Sequence, residues 1–339
     1  MKKVVFVLVG LALFGCKKGE AKEDFSTKPI AEKSDLAKKA DNFFKSISTV
    51  ESTTIAQNKI DLGKKLYYDK ALSKNGTVSC NSCHNLATFG VDNKSFSVGD
   101  TKELGGRNSP SSIYAFLHGV QFWDGRAKDV EEQAGGPLLN PVEHGIPNEA
   151  FLENKLRAIA EYQTDFKSVF PNDKEPITFA NLTNAIGAFE RQLAPESKFD
   201  NYLDGNDEAL NNQEKKGLTA FIDNGCITCH SGVAVGGQLI QKFGLFGDYA
   251  KFTHSKKIDM GVYDRTKKAG DQFMFKTPSL RNVEKTYPYF HDGSVASLKE
   301  SIKIMGKLQV NKDLTETDIN DIESFLKTLT ADVDSKYKG

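Results

Sequence analysis

Apolar positions recur at helical spacing in several stretches of the chain. Ile60, Gly63, Leu66 and Tyr67 share one helix face that leads toward Cys80, and Leu218, Phe221 and Ile222 do the same just before Cys226. Phe151 to Phe166 is a further helical stretch. Near the end, Ile319, Ile322, Phe325, Leu326 and Leu329 follow the cap-like Thr315 and Thr317. Alternating strand patterns are scarce, and the Gly-rich segments 90–106 and 232–247 read as loops. The pattern predicts a mostly α protein whose two halves share an internal plan.

Composition narrows the class. The 339 residues are 39% hydrophobic and 27% charged, which excludes a disordered chain, a collagen-like one and a polytopic membrane protein. Lys plus Arg and Asp plus Glu both number 45, so no basic excess points to nucleic acid. The N-terminus is different in kind. Met1-Lys2-Lys3 is basic and Val4 to Gly15 is an apolar run of 12 residues. A membrane-spanning helix needs roughly 20. The run ends in Leu13-Phe14-Gly15-Cys16, which resembles a bacterial lipobox and predicts a signal peptide over 1–16 with Cys16 as the lipid anchor. Residues 17–45, rich in both charges, are expected to be a solvated tether. The expected location is the periplasmic side of a bacterial membrane, lipid-anchored.

The candidate chemistry lies in the other four cysteines. Cys80-Asn81-Ser82-Cys83-His84 and Cys226-Ile227-Thr228-Cys229-His230 both fit C-x-x-C-H, the attachment motif of c-type haem. Two thiols add across the porphyrin vinyl groups and the histidine, His84 or His230, ligates the iron. A thioredoxin-like pair has no need of the trailing histidine, and a zinc site would want the two pairs close in sequence. Two haem c groups are therefore expected. Of the four methionines, Met1, Met260, Met274 and Met305, none lies between Cys80 and Cys226, so the first half cannot give its own haem a thioether. Met274 follows His230 by 44 residues and is the expected sixth ligand of the second haem, with Met260 its rival.

Around these motifs the chain resembles the bacterial dihaem cytochrome c peroxidases. The resemblance is carried by Gly90-Val91-Asp92-Asn93, Gly106-Arg107-Asn108-Ser109-Pro110 and Gln121-Phe122-Trp123-Asp124-Gly125-Arg126-Ala127. Gln133, Ala134, Gly136-Pro137 and Asn140 to Glu143 extend it, as do Phe275 to Val283 and Pro288-Tyr289-Phe290-His291-Asp292-Gly293. It implies an all-α fold of two cytochrome c-like domains, a peroxidatic one over 46–205 and an electron-transfer one over 206–310. Residues 311–339 form a C-terminal helix packing back on the first domain. The active site is implied at the first haem, near the domain interface. Glu143 takes the role of distal acid–base group, moving a proton from the inner to the outer peroxide oxygen so that water can leave. Gln133 orients peroxide through its amide. Trp123, the only tryptophan, is implied as electron relay between the haems, and Asn108 as a ligand of one calcium ion. Arg107 and Arg126 are candidates to neutralise haem propionates. His291 and Tyr289 belong to the motif without an assigned chemistry.

Two positions depart from the family. Many members carry a loop histidine that caps the first haem until the second is reduced; an ungapped count puts Asp100 there. His144 stands where methionine commonly follows the distal glutamate. The expected function is reduction of hydrogen peroxide to water with electrons from a small cytochrome c or cupredoxin, in a chain that admits a homodimer. Two alternatives compete. A dihaem oxidase of a protein or organic substrate replaces the axial methionine with tyrosine, and a non-catalytic dihaem electron carrier has no use for Glu143.

Overall fold

A computed structural model describes Met1 and residues 33–51 and 54–339; the signal segment, Cys16 and most of the expected tether lie outside the described residues. The two helices that precede the haem motifs form as the apolar spacing predicts, over Gln57–Tyr68 and Asn212–Asp223. Each crosses a late helix of its own half through a glycine. A Cβ on Gly63 would come within 1.9 Å of the Ala185 carbonyl oxygen on helix Phe179–Glu190. A Cβ on Gly217 would come equally close, 1.9 Å, to that of Asp321 on helix Glu316–Lys327. No other residue lets the two backbones approach so closely. The shared internal plan is thus a helix pair locked at a glycine, with the cysteine motif emerging beside it.

The helical stretch expected over Phe151 to Phe166 is two helices, Glu149–Arg157 and Ala160–Val169, separated at Ala158 and Ile159. The last helix starts after Thr315, whose hydroxyl accepts from the Asp318 N–H at 3.1 Å; Thr317 lies inside it. Two three-residue strands, Ile240–Lys242 and Met274–Lys276, pair antiparallel with Lys242 opposite Met274.

Packing draws the second core wider than the sequence suggests. Residues 35–41 are a helix, not solvated tether: Ala37, Ala40 and Phe44 are buried against Phe199, Phe221 and Phe325. Ser34 starts that helix by accepting from the Ala37 N–H at 3.3 Å, and its apolar face offsets the charges around it. Phe199, Tyr202 and Leu203, expected in the first domain, also join this second core. The C-terminal helix packs on Asn212–Asp223, whereas the tail beyond it returns to the first half. There Val333 is buried beside Ile60 and Tyr67, and Tyr68 donates to the Tyr337 carbonyl at 3.0 Å. Among the described residues no helix is long and apolar enough to cross a membrane.

Candidate active site

One cavity of about 720 Å³ gathers most of the residues singled out by sequence. Cys80, Cys83 and His84 line it together with Trp123, Arg126, Gln133, Glu143 and His144. That volume falls in the range of cofactor pockets, about 300–1,000 Å³. The His84 Nδ1 lies 2.8 Å from the Pro110 carbonyl oxygen. A carbonyl can only accept, so Nδ1 carries the proton and Nε2 is left bare for a metal. Burial lowers the His84 pKa, which keeps the ring neutral and fit to ligate.

On the Glu143 side the carboxyl is held by Asn140, whose Nδ2 donates to Oε1 at 2.7 Å. Burial pushes the Glu143 pKa up; the Arg126 charge and the Asn140 hydrogen bond oppose it. The backbone around Glu143 is clamped from both sides. Its carbonyl accepts from the Asp100 N–H at 2.7 Å, and the next carbonyl, of His144, accepts from Lys74 N–H at 2.8 Å. Gly99 approaches so closely that a Cβ would sit 1.7 Å from the Val142 oxygen. Asp100 is buried and does not line the cavity; its carboxylate accepts from the Asn75 N–H, the Thr77 N–H and the Thr77 hydroxyl. Burial acts to raise its pKa, but those bonds outweigh burial and hold it at about 2. His144 is buried with Nδ1 3.1 Å from the Leu72 oxygen. Exposed His254 comes from the second half and also lines the cavity.

Trp123 links this cavity to the second core, against which it packs. Its indole N–H donates to the Asn108 carbonyl at 2.8 Å, and its own carbonyl accepts from the Lys276 N–H at 2.7 Å. The His291 ring meets it edge-on at 6.3 Å and stacks on Phe275 at 4.2 Å. Arg107 is saturated by carboxylates: Nε and Nη2 donate to Asp259 at 2.6 and 2.9 Å, and Nη1 to Asp124 at 2.9 Å. Arg107 therefore ties the halves together, and Arg126, bonded to Asp124 at 2.9 Å, is the freer cation at the cavity.

In the second half, Cys226 and Ile227 pack against the core, and the Phe221 ring meets His230 edge-on at 6.5 Å. The His230 Nδ1 is buried without a hydrogen-bond partner. Gly236 leaves no room for a side chain: a Cβ there would lie 2.2 Å from the Pro278 oxygen and 3.1 Å from that Nδ1. The ring is deep and neutral, its pKa pushed down to about 4 by burial, which suits a ligating histidine.

Comparisons with known proteins name the family. The family model "Di-haem cytochrome c peroxidase" matches residues 57–208, and "Cytochrome c" matches 214–330. Cytochrome c551 peroxidase of Nitrosomonas europaea is 43% identical over 273 residues, covering 80% of each chain. Its Pseudomonas aeruginosa counterpart is 42% identical over 311 residues, covering 89% of this chain and 88% of that one. The chain belongs to the di-haem cytochrome c peroxidase family. A crystal structure of a MauG-like protein associated with microbial copper homeostasis superposes with a TM-score of 0.76 at 33% identity, over 84% of this chain and 93% of that one.

As a di-haem cytochrome c peroxidase the chain is an oxidoreductase that carries two haem c and acts on peroxide with electrons from a redox protein. The donor sets fit the two groups, through the bare Nε2 of His84 and the deep neutral ring of His230. The expectation for Met274 meets a different packing. Met274 stands across the strand pair from exposed Lys242, and neither it nor Met260 joins the core that receives Cys226. Met305, on helix Leu298–Val310, does. Sequence spacing does not single out Met305, because nothing along the chain marks which methionine packs on that core. Glu190 was missed as well. Its signal was a single acid closing helix Phe179–Glu190 directly after the run Ala185 to Phe189, which carries no polar side chain.

Proposed function

We propose that peroxide is cleaved in the 720 Å³ cavity with Glu143 as its acid–base group, a reading carried by one observation: Glu143 and His84 line the same cavity. A haem held there by Cys80, Cys83 and His84 supplies the Lewis-acid and electron-transfer chemistry. Glu143 takes a proton from the inner oxygen of peroxide and delivers it to the outer one, which leaves as water. Asn140 keeps the carboxyl in place, and the raised pKa lets it hold a proton between the two events. Gln133, on helix Val130–Leu139, orients the substrate by its amide without exchanging protons. Trp123 relays electrons, since it touches the cavity on one side and the second core on the other.

The second haem is held by Cys226, Cys229 and His230, with Met305 rather than Met274 as its thioether ligand. A thioether favours ferrous iron and suits a site that receives electrons from a small cytochrome c or cupredoxin. A calcium ion at Asn108 would draw on the side-chain amide oxygen and main-chain carbonyls, because among the described residues no cluster of three acidic, histidine or cysteine side chains exists. Residues 1–16 direct export and Cys16 anchors the enzyme on the periplasmic side of the membrane; the assembly is a monomer or homodimer. The deciding experiment is steady-state peroxide turnover of Glu143→Gln with haem content measured in parallel. Loss of turnover with both haems retained supports the assignment, and unchanged turnover refutes it.

A further inference from the structure

Glu190 is the last residue of helix Phe179–Glu190, after a run in which Leu182, Ala185, Ile186, Ala188 and Phe189 are all buried. It is only 6% exposed, yet it lines the cavity of Cys80 and His84, and its Oε2 makes no hydrogen bond. A lone carboxylate so placed is strongly disfavoured against its protonated form. Burial, then the nearby Glu131 carboxylate, push its pKa up to about 8, while Arg191 opposes them.

The charged and titratable surroundings are few. Helix Gln57–Tyr68 presents Tyr67, helix Cys80–Cys83 presents Cys80, and helix Val130–Leu139 presents Glu131. Glu153 accepts from the Phe179 N–H at the opposite end of the helix, the 115–117 turn brings no titratable group, and Tyr337 of the C-terminal tail packs on Phe189. Arg191 forks onto Glu131, with Nε to Oε1 at 2.9 Å and Nη2 to Oε2 at 2.8 Å. These two side chains are 34% and 23% exposed. Glu190 therefore lies at the cavity wall with a solvent-reached ion pair among its charged neighbours.

We propose that Glu190 is a proton store for the first haem site: where its carboxyl is ionised, it takes up one proton from water when the site gains an electron, and releases it when the electron leaves. The electron comes from the redox-protein donor, the proton forms an O–H bond on the Glu190 carboxyl, and no other reactant is consumed. The physical cause is charge. An added electron beside the cavity wall raises the proton affinity of a buried carboxylate, and linkage requires the reverse effect on the potential. The potential of the first haem must fall as pH rises through the Glu190 titration. The proposal rests on Cys80, Cys83 and His84 holding that haem, and not on how peroxide is cleaved.

The test is spectroelectrochemical titration of the first haem in the full holoprotein across roughly pH 6 to 10, for wild type, Glu190→Gln and Glu131→Gln. Wild type should show a pH-dependent potential with its break near the Glu190 value of about 8. Glu190→Gln should be flat over that range, and Glu131→Gln should move the break to lower pH, because a like charge has gone. A wild-type slope in Glu190→Gln, with two haems in its pyridine spectrum, overturns the proposal. Should Glu190→Gln fail to load two haems, redox-difference infrared spectra of wild type decide. A protonated-carboxyl band that grows on reduction and shifts in D2O supports the proton store, and its absence overturns it. A first haem missing from wild type would instead refute the haem assignment itself.

Discussion

The main-chain N–H of Asp100 donates to the carbonyl oxygen of Glu143 at 2.7 Å, so the loop residue that stands at the family's capping position is tied to the backbone of the catalytic candidate. The side chain points elsewhere. Three hydrogen bonds from Asn75 and Thr77 hold its carboxylate, and Gly99 is pressed against Val142. A loop pinned this way does not offer a ligand to the cavity.

The first prediction follows from that anchoring. Fully oxidised protein should have an accessible first haem and react with peroxide without prior reduction. Stopped-flow mixing with one equivalent of hydrogen peroxide should give an immediate spectral change. A low-spin resting spectrum, silent until the second haem is reduced, would show that His144 or His254 caps the iron instead.

Glu143→Gln should leave fold and haem content intact and lower kcat/KM for peroxide about 10²-fold or more, the usual scale for a general acid–base group. The amide can still meet the Asn140 side chain, so a structural collapse would be a different result from the one expected. Turnover within a few-fold of wild type would transfer the role to another residue, with buried His144 first in line.

The pH profile should carry the mark of the raised Glu143 pKa. Glu143 must be deprotonated to accept the first proton, so activity rises with pH through its titration. The acid limb should therefore lie above the ordinary glutamate value of 4.5. Arg126 pulls that pKa down, and Arg126→Gln should move the limb to still higher pH. A limb that moves to lower pH would mean that another group controls it.

Two parallel variants separate the methionines. Met305→His should lower the potential of the second haem substantially, because imidazole favours ferric iron more than a thioether does. Met274→His should leave it unchanged. The opposite pattern would restore Met274 as the ligand and make the packing of Met305 structural only.

Stability should depend heavily on Arg281. Both partners of the Arg281–Asp200 pair are fully buried, with Nη1 and Nη2 each 2.8 Å from a carboxylate oxygen. Asp200 also accepts from the Ser197 N–H and hydroxyl and from the Ile47 N–H. Arg281→Ala strands this carboxylate and should cost about 3–5 kcal/mol in urea unfolding of the holoprotein. A loss below about 1 kcal/mol, the range of exposed pairs, would mean that water reaches the pair.

Chemistry that is local in the chain is legible without any fold. Cys80 to His84 and Cys226 to His230 are contiguous, because covalent attachment and ligation use neighbours along the backbone, and no packing is needed to read them. The helices before them were legible for a similar reason: burial on one face leaves a period in the residue types. Contacts between residues distant in sequence leave no such mark and emerge only on folding. Residues 35–41 look like charged tether until the second core covers Ala37 and Ala40. Met305 and Met274 are equivalent as residue types, and only the packing of Met305 against the second core distinguishes them. Asp100 and Glu143 are 43 positions apart, and their bond exists because Gly99 lets two loops touch. Glu190 carries no motif at all. Its chemistry comes from being buried at the cavity wall beside another carboxylate, a property of place rather than of sequence.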